Sequence, residues 1–130
     1  MADVKYYIDD TKQVIKEDLF AVEAKKYADS FSNDFPKIKS SQMRKFYNDI
    51  LLIKTKIEQA PKPTIEFQKQ HPYINMIVAK AAYAKARRHI GDNFERFLKD
   101  NIADTIKDDR DFMVFCDLFE AVVAYYGNIK

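Results

Sequence analysis

Glycine is nearly absent from this chain, which has only Gly91 and Gly127 among its 130 residues. Tight hairpin turns and phosphate-binding loops depend on glycine, because both need positive φ angles or a close approach of the backbone. The scarcity argues against both features and favours helices joined by short loops. At this length the chain can bury one hydrophobic core, so we expect a single helical domain over residues 1–130.

Apolar residues recur at spacings of three and four in five segments, which is the period of an amphipathic helix. Capping residues and prolines predict where each helix begins and ends. The first runs from about Thr11 to Ser32, and the second from Ser40 or Ser41 to about Gln59. The third lies beyond Pro72 and ends near Gly91, the fourth begins at Asp92, and the fifth runs from about Asp108 to Gly127. Thr64 is predicted to cap only a short turn before Pro72. Residues 1–10 show no clear period, which is compatible with poor order. The pattern predicts an all-α fold, a compact bundle of about five helices without a sheet.

Cys116 is the only cysteine, so the chain cannot form an internal disulfide. It falls in the apolar stripe of the last predicted helix, which favours a buried structural thiol over a nucleophile. No segment has the length and apolar character of a signal peptide or a membrane span. These features predict a protein of the reducing cytoplasm with no membrane partner.

Charge is sorted by position along the chain. Residues 35–90 carry twelve Lys and Arg but three Asp and Glu, a formal charge of +9, whereas residues 1–34 and 91–130 carry −3 and −4. A local positive field of this kind is typical of proteins that bind a polyanion. A solvated lysine-rich surface explains the same charge without any ligand.

The third predicted helix has the sharpest pattern, because Lys80, Tyr83 and Arg87 share one stripe, with Met76 one turn earlier. Two cations and a ring along one face suit a nucleic-acid strand, since cations pair with phosphates and a ring stacks on a base. Alternatively, Tyr83 and Met76 cover a second core face, and Arg87 and Arg88 interact with the C-terminal helix dipole.

Two further cations, Arg44 and Lys45, fall in the first turns of the second predicted helix, where the helix dipole disfavours positive charge. A phosphate bound near that helix terminus would compensate. Lys54 falls toward the apolar side of the same helix, so its side chain has to extend along that surface to reach water.

Enzymatic patterns are weak. His71 and His89 have no metal-ligand spacing, and no serine has a glycine-flanked nucleophile elbow. The acidic run Asp108, Asp109 and Asp111 has ligands for a divalent ion, but helix capping explains it without one. We therefore predict no catalytic residue, no metal and no cofactor. Glu120 lies among apolar residues, and the sequence leaves open whether it pairs with a cation or faces a partner.

Three segments carry a family resemblance. They are Ser40-Ser41-Gln42-Met43-Arg44-Lys45-Phe46-Tyr47, Ala82-Tyr83-Ala84-Lys85-Ala86-Arg87, and the C-terminal stretch from Phe112 to Tyr126 with Phe119-Glu120-Ala121-Val122-Val123-Ala124-Tyr125-Tyr126. Together they resemble the small helical subunit of type III-A CRISPR effector complexes, the Csm complexes, over approximately residues 17 to 127.

The resemblance implies a non-catalytic subunit, several copies of which stack along a ribonucleoprotein filament that acts in antiviral defence. Its partners would be the guide RNA, the target RNA, other copies of itself and the other Csm subunits, with the target backbone as its main contact. Cleavage of that RNA would belong to the neighbouring backbone subunit, and nucleotide signalling to the large subunit. The family's basic positions carry over to Arg44, Lys45 and Arg87.

The leading hypothesis is sequence-independent RNA binding. Its candidate residues are Arg44, Lys45, Lys54, Lys80, Tyr83, Lys85, Arg87 and Arg88, of which Lys54, Lys80, Lys85 and Arg88 rest on local charge. The alternative is a helical structural adaptor that binds neighbouring subunits without touching RNA. A small helical nuclease, motivated only by the histidines and the acidic run, comes third.

Overall fold

Five α-helices make up most of the residues that the computed structural model describes, which are residues 5–129. They are α1 (Ala24–Ser32), α2 (Ser40–Gln59), α3 (Pro63–Ala86), α4 (Asp92–Ile102) and α5 (Asp109–Ile129). A π-helical turn, Leu19–Glu23, leads directly into α1. No strand occurs in this part of the chain. The predicted all-α bundle is confirmed.

An aromatic cluster between α1, α4 and α5 forms the centre of the core. The ring of Phe97 in α4 lies 5.5 Å from that of Phe31 in α1 and 5.4 Å from that of Phe119 in α5, measured between centroids. Tyr27 packs edge-on against Phe97 at 4.7 Å. Aromatic pairs at these distances add to the free energy of burial. Helices α2 and α3 pack against each other along one side of this core.

The prediction that the first helix begins at Thr11 is wrong. Residues 5–18 form an irregular hairpin in which Tyr7 and Ile15 make an isolated antiparallel bridge. Lys12, a non-glycine residue, takes the positive φ of 59° in its turn. The scarcity of glycine therefore did not prevent a hairpin. Of residues 1–10, for which poor order was considered, 1–4 lie outside the described residues, whereas Tyr6 is fully buried.

Helix α3 is longer than predicted at its N-terminal end. It begins at Pro63 and continues through Pro72, so Thr64 caps no separate turn. Proline inside a helix removes one hydrogen bond and costs about 3 kcal/mol. Phe67 and Ile74, on either side of Pro72, are both buried in the same core. We attribute the continuous helix to this packing. At the start of α2, Ser40 is already helical and Lys39 occupies the N-cap position, so the predicted serine cap is also wrong.

The C-terminal end of α3 is earlier than predicted. Arg87 is the C-cap, and Arg88 follows in the left-handed region with a φ of 63°. The amides of Arg88 and His89 donate to the carbonyls of Lys85 and Ala84 at 3.0 and 2.9 Å. This is the Schellman arrangement, which commonly places glycine where Arg88 stands. The helix predicted to end near Gly91 therefore ends at Ala86, with Arg87 as its C-cap and Arg88 just beyond it.

Helix α4 is capped from another part of the chain. Asp34, in the loop between α1 and α2, accepts hydrogen bonds from the amides of Asn93 and Phe94 at 3.0 to 3.2 Å. Asp92, the predicted cap, is instead the first helical residue. A Cβ atom on Gly91 would lie 2.5 Å from the Cβ of Asp34. Gly91 is therefore needed for the close approach of the capping carboxylate.

Helix α5 begins as predicted but ends later. The Asp108 carboxylate accepts a hydrogen bond from the Asp111 amide at 2.8 Å, which confirms the cap near Asp108. The helix then continues through Gly127 to Ile129, so the predicted stop at Gly127 is wrong.

Candidate functional site

A groove between α2 and α3 contains half of the predicted site residues. It has a volume of about 510 Å³, and its lining residues are Gln42, Lys45, Phe46, Asp49, Lys80, Tyr83, Ala84, Arg87 and His89. The groove brings together Lys45 from α2 with Lys80, Tyr83 and Arg87 from α3 and its C-cap. A single acid, Asp49, lines it beside three basic side chains. The groove is therefore locally positive, although the whole chain is nearly neutral.

Tyr83 and Arg87 form a stacked pair at one end of the groove. The guanidinium carbon of Arg87 lies 5.5 Å from the centroid of the Tyr83 ring. An Arg87 amino group also donates to the Tyr83 hydroxyl at 3.3 Å. Tyr83 is still 65% exposed, so the alternative that it covers a second core face is wrong. A cation held over an exposed ring can contact a phosphate while the ring contacts a base.

Asp49 and Lys80 face each other across the groove. The Lys80 Nζ atom lies 3.8 Å from an Asp49 carboxylate oxygen, and both side chains are more than one-third exposed. This distance exceeds the range of a good charge-assisted hydrogen bond. Both groups therefore retain capacity for another partner.

The groove continues along the two helices into a second depression of about 450 Å³. Asp49 and Lys80 line both, and the second adds Leu52 and Tyr73, which are exposed, together with Lys56, Met76 and Gln70. Met76 is also exposed, so the alternative of a second core face fails for it as well. Sequence reasoning missed Asp49 and Tyr73. A projection of both helices together would have placed Asp49 beside Lys80, but the pairing of α2 with α3 was not known.

Lys85 and Arg88 lie outside the groove. The ammonium group of Lys85 contacts the carboxylates of Asp92 and Glu95 in α4 at 2.6 and 3.1 Å. The hydrogen bonds that the Lys85 ammonium donates to these two carboxylates raise the pKa of Lys85. Arg88 is exposed at the left-handed position after α3. Lys85 therefore links α3 to α4 and does not line the groove.

Lys54 and Arg44 also lie elsewhere. The Lys54 side chain is 25% exposed and approaches Glu58 at 3.8 Å, in agreement with the prediction that it extends along an apolar surface. Arg44 is exposed and borders a small cavity together with Val123 and Tyr126 of α5. Of the eight predicted site residues, four therefore share the groove and four are dispersed.

The residues considered for enzymatic chemistry have structural contacts. The Lys12 ammonium group lies 3.0 Å from carboxylate oxygens of both Asp108 and Asp111, where a metal ion would have to bind. The His71 ring packs against Phe67 at 4.8 Å between centroids. Burial raises the pKa of the Cys116 thiol well above its ordinary value. Within residues 5–129, no group of three His, Cys, Asp or Glu side chains is arranged to hold a metal ion.

None of the described helices combines the length and apolar character required to span a lipid bilayer. Glu120, whose environment the sequence left open, is exposed on α5.

Comparison with known proteins agrees with the resemblance noted from the sequence. A family model described as Csm2 Type III-A matches residues 16–129. No curated protein and no solved structure gives a significant match. The matched region includes the whole of the helical bundle and the groove. The chain therefore belongs to the Csm2 family, the structural small subunits of type III-A CRISPR Csm complexes, whose partners are the other Csm subunits.

Proposed function

We propose that this chain is a non-catalytic, RNA-binding subunit that contacts the backbone of target RNA through the α2–α3 groove. It acts in the cytoplasm, in antiviral defence, with copies stacked along the filament beside the guide RNA. Pairing between guide and target reads the sequence, and this subunit supplies cations to the phosphates. Binding by the groove is accordingly close to independent of sequence.

The observation that carries this proposal is the convergence of Lys45, Lys80 and Arg87 on one groove beside an exposed tyrosine. These residues come from two helices, and their cations lack the short ion pairs that hold Lys12 and Lys85. Exposed cations that lack a short ion pair remain available to phosphates, and each phosphate they neutralise releases counterions. An aromatic side chain within the same groove is a further feature of single-strand binding sites.

The salt dependence of RNA binding tests the proposal. For a single strand, the logarithm of affinity falls with the logarithm of salt concentration at a slope of about −0.7 per phosphate contacted. Replacing Lys45, Lys80 and Arg87 together with glutamine should therefore reduce the magnitude of the slope by about 2, if each contacts one phosphate. Fluorescence anisotropy of a labelled single-stranded RNA, titrated with the chain at several salt concentrations, measures the slope.

A matched control separates groove contacts from net charge. Glutamine replacements of Lys25, Lys26 and Lys99 remove the same charge from exposed positions that do not line the groove. This control should keep the slope of the unmodified chain. Equal slopes for the groove variant and the unmodified chain, with both folded, would exclude the groove as the phosphate site.

The alternative adaptor function has its own supporting observation. Leu52, Tyr73 and Met76 are exposed apolar side chains beside the second depression, and exposed apolar groups often mark protein contacts. If this face binds a neighbouring Csm subunit, Leu52→Gln with Met76→Gln should reduce incorporation of the chain into the complex. RNA binding by the isolated chain should persist in that variant. Co-purification with the other Csm subunits measures incorporation.

A further inference from the structure

We infer that the α2–α3 groove holds one unpaired nucleotide whose base carries an exocyclic amino group, with Asp49 accepting a hydrogen bond from that group. The inference rests on the proposed RNA-binding function and adds a modest base preference to it. Its basis is the one acidic side chain in an otherwise cationic groove.

Asp49 is unfavourable for phosphate binding, because a carboxylate repels a phosphate in the same groove. It is not used to hold the fold together, since its ion-pair contact, with Lys80, is 3.8 Å long. A carboxylate accepts hydrogen bonds and donates none at neutral pH. The amino group of cytosine, adenine or guanine provides such a donor, whereas uracil presents a carbonyl oxygen where cytosine has its amino group. At this exocyclic position, Asp49 therefore favours an amino group over the carbonyl oxygen of uracil.

Tyr83 supplies the surface on which such a base would stack. One side of its ring is occupied by the Arg87 guanidinium, yet most of the side chain is still accessible. Recognition of single-stranded RNA commonly combines stacking on an aromatic ring with hydrogen bonds to the edge of the base. Tyr83 and Asp49 line the same groove and provide one of these interactions each.

The dimensions and charge of the groove agree with a nucleotide. Its volume of about 510 Å³ lies within the range of small-molecule sites. With the base beside Asp49, the phosphates on either side of it are attracted to Lys45 and Arg87, which line the groove with it. The strand would have to be unpaired at this point, because a base that stacks on the Tyr83 ring has to leave the stack of a duplex.

Cytosine and uracil oligonucleotides provide the sharpest test, because the two bases have the same ring size and differ mainly in the group offered to Asp49. We would titrate labelled RNAs of about ten cytidines or ten uridines, a length within the usual site size, with the full chain near neutral pH. A hydrogen bond to a charged group predicts that the cytidine RNA binds about tenfold more tightly. Asp49→Asn should bring the ratio of the two affinities close to one, because an amide can both donate and accept.

Two further variants make the result specific. Glu120→Gln removes the same charge from an exposed site on α5 and should leave the affinity ratio unchanged. Tyr83→Leu should weaken binding of both RNAs about tenfold by removing the stacking surface. If the unmodified chain binds both RNAs equally, or if Asp49→Asn raises both affinities by the same factor, the base-binding inference is overturned while RNA binding by the groove stands. If neither RNA binds, the proposed function fails, and the inference fails with it.

Discussion

The polar groups of the N-terminal corner and those of the α2–α3 groove are used in different ways. We define the N-terminal corner by Tyr6, Tyr7 and Lys12 of the hairpin together with Asn101, Asp108 and Asp111. Its side-chain hydrogen bonds across the chain are 2.5 to 3.0 Å long and reach the buried side chains of Asn101 and Asp111. In the groove, the corresponding ion pair of Lys80 and Asp49 is 3.8 Å long and exposed.

The two sets of contacts separate the charges that hold the fold from those that are available to a ligand. Buried hydrogen bonds are costly to break, because the remaining partner stays desolvated. Exposed ion pairs contribute at most about 1 kcal/mol and leave both groups in contact with water. The N-terminal corner should therefore determine stability, and the groove should determine binding.

Asp111→Ala should have the largest effect on stability. Its carboxylate accepts hydrogen bonds from the Tyr7 hydroxyl at 2.8 Å, the Lys12 ammonium at 3.0 Å and the Lys107 amide at 2.9 Å. Losing three bonds to one buried charge should lower the free energy of unfolding by about 3 kcal/mol. Urea denaturation followed by circular dichroism measures this.

Asp109→Ala is the control for this change, because its contacts with Thr64, on a neighbouring exposed surface, are 3.4 Å long. That variant should lie within about 0.5 kcal/mol of the unmodified chain. Equal effects of the two substitutions would show that the N-terminal corner contributes no more stability than an ordinary surface position.

Gly91→Ala extends the comparison to Asp34, a second buried carboxylate. The new Cβ would lie 2.5 Å from the Asp34 Cβ, so the cap on α4 would have to shift. Crowding of this kind, with loss of the cap, should lower the free energy of unfolding by about 2 kcal/mol. Thermal denaturation measures the change, and Gly127→Ala is the control, because a Cβ there meets no atom within 4 Å apart from its chain neighbours and its own helix backbone. A neutral Gly91→Ala would mean that Asp34 is not held as closely as the hydrogen bonds indicate.

The sequence alone predicted the all-α class and the amphipathic character of the helices. The apolar spacing correctly predicted amphipathic helices, because a period of 3.6 residues indicates one buried helix face directly. It failed at Pro72, because the packing of Phe67 and Ile74 outweighed the local preference of proline. It also failed at the C-terminal end of α3, where Arg88 takes the left-handed conformation that glycine usually supplies. Asp34 was missed as a cap because it accepts a hydrogen bond from the amide of Asn93, which is 59 residues away in the sequence.

The candidate site was predictable only along single helices. Spacings of three and four placed Lys80, Tyr83 and Arg87 on one stripe, and the structure keeps them together. Spacing within one helix could not show that Lys85 is paired with Asp92 and Glu95, which belong to α4. It also could not show that Asp49 enters the groove opposite Lys80. These facts depend on how two helices pack, and no local period encodes that.

The same chemical change in the two regions gives a direct comparison. Tyr6→Phe removes the hydroxyl that bonds Asn101 at 2.5 Å and leaves a buried amide oxygen without that donor, so stability should fall by about 1.5 kcal/mol. Tyr83→Phe removes a hydroxyl that only accepts an exposed bond from Arg87, and stability should change by less than about 0.5 kcal/mol. Paired urea titrations measure both. A larger loss for Tyr83→Phe than for Tyr6→Phe would reverse the assignment of the two regions.

Asp108→Asn should have the smallest effect on the free energy of unfolding, and that effect should depend on pH. Burial opposes ionisation of Asp108, but the Asp111 amide and the Lys12 ammonium outweigh it and lower the pKa of the carboxyl. A pKa that is lower in the folded state stabilises the protein above the unfolded value of about 4, and this contribution is lost as the pH falls through the folded pKa. Asparagine caps a helix as well as aspartate does, so the substitution isolates the charge. Because the Asp108 side chain is 44% exposed, solvent screening limits the loss near neutral pH to less than about 1 kcal/mol. Urea titrations across the acid range should show the two proteins converging at low pH, and a gap that widened on acidification would contradict the ion pair with Lys12.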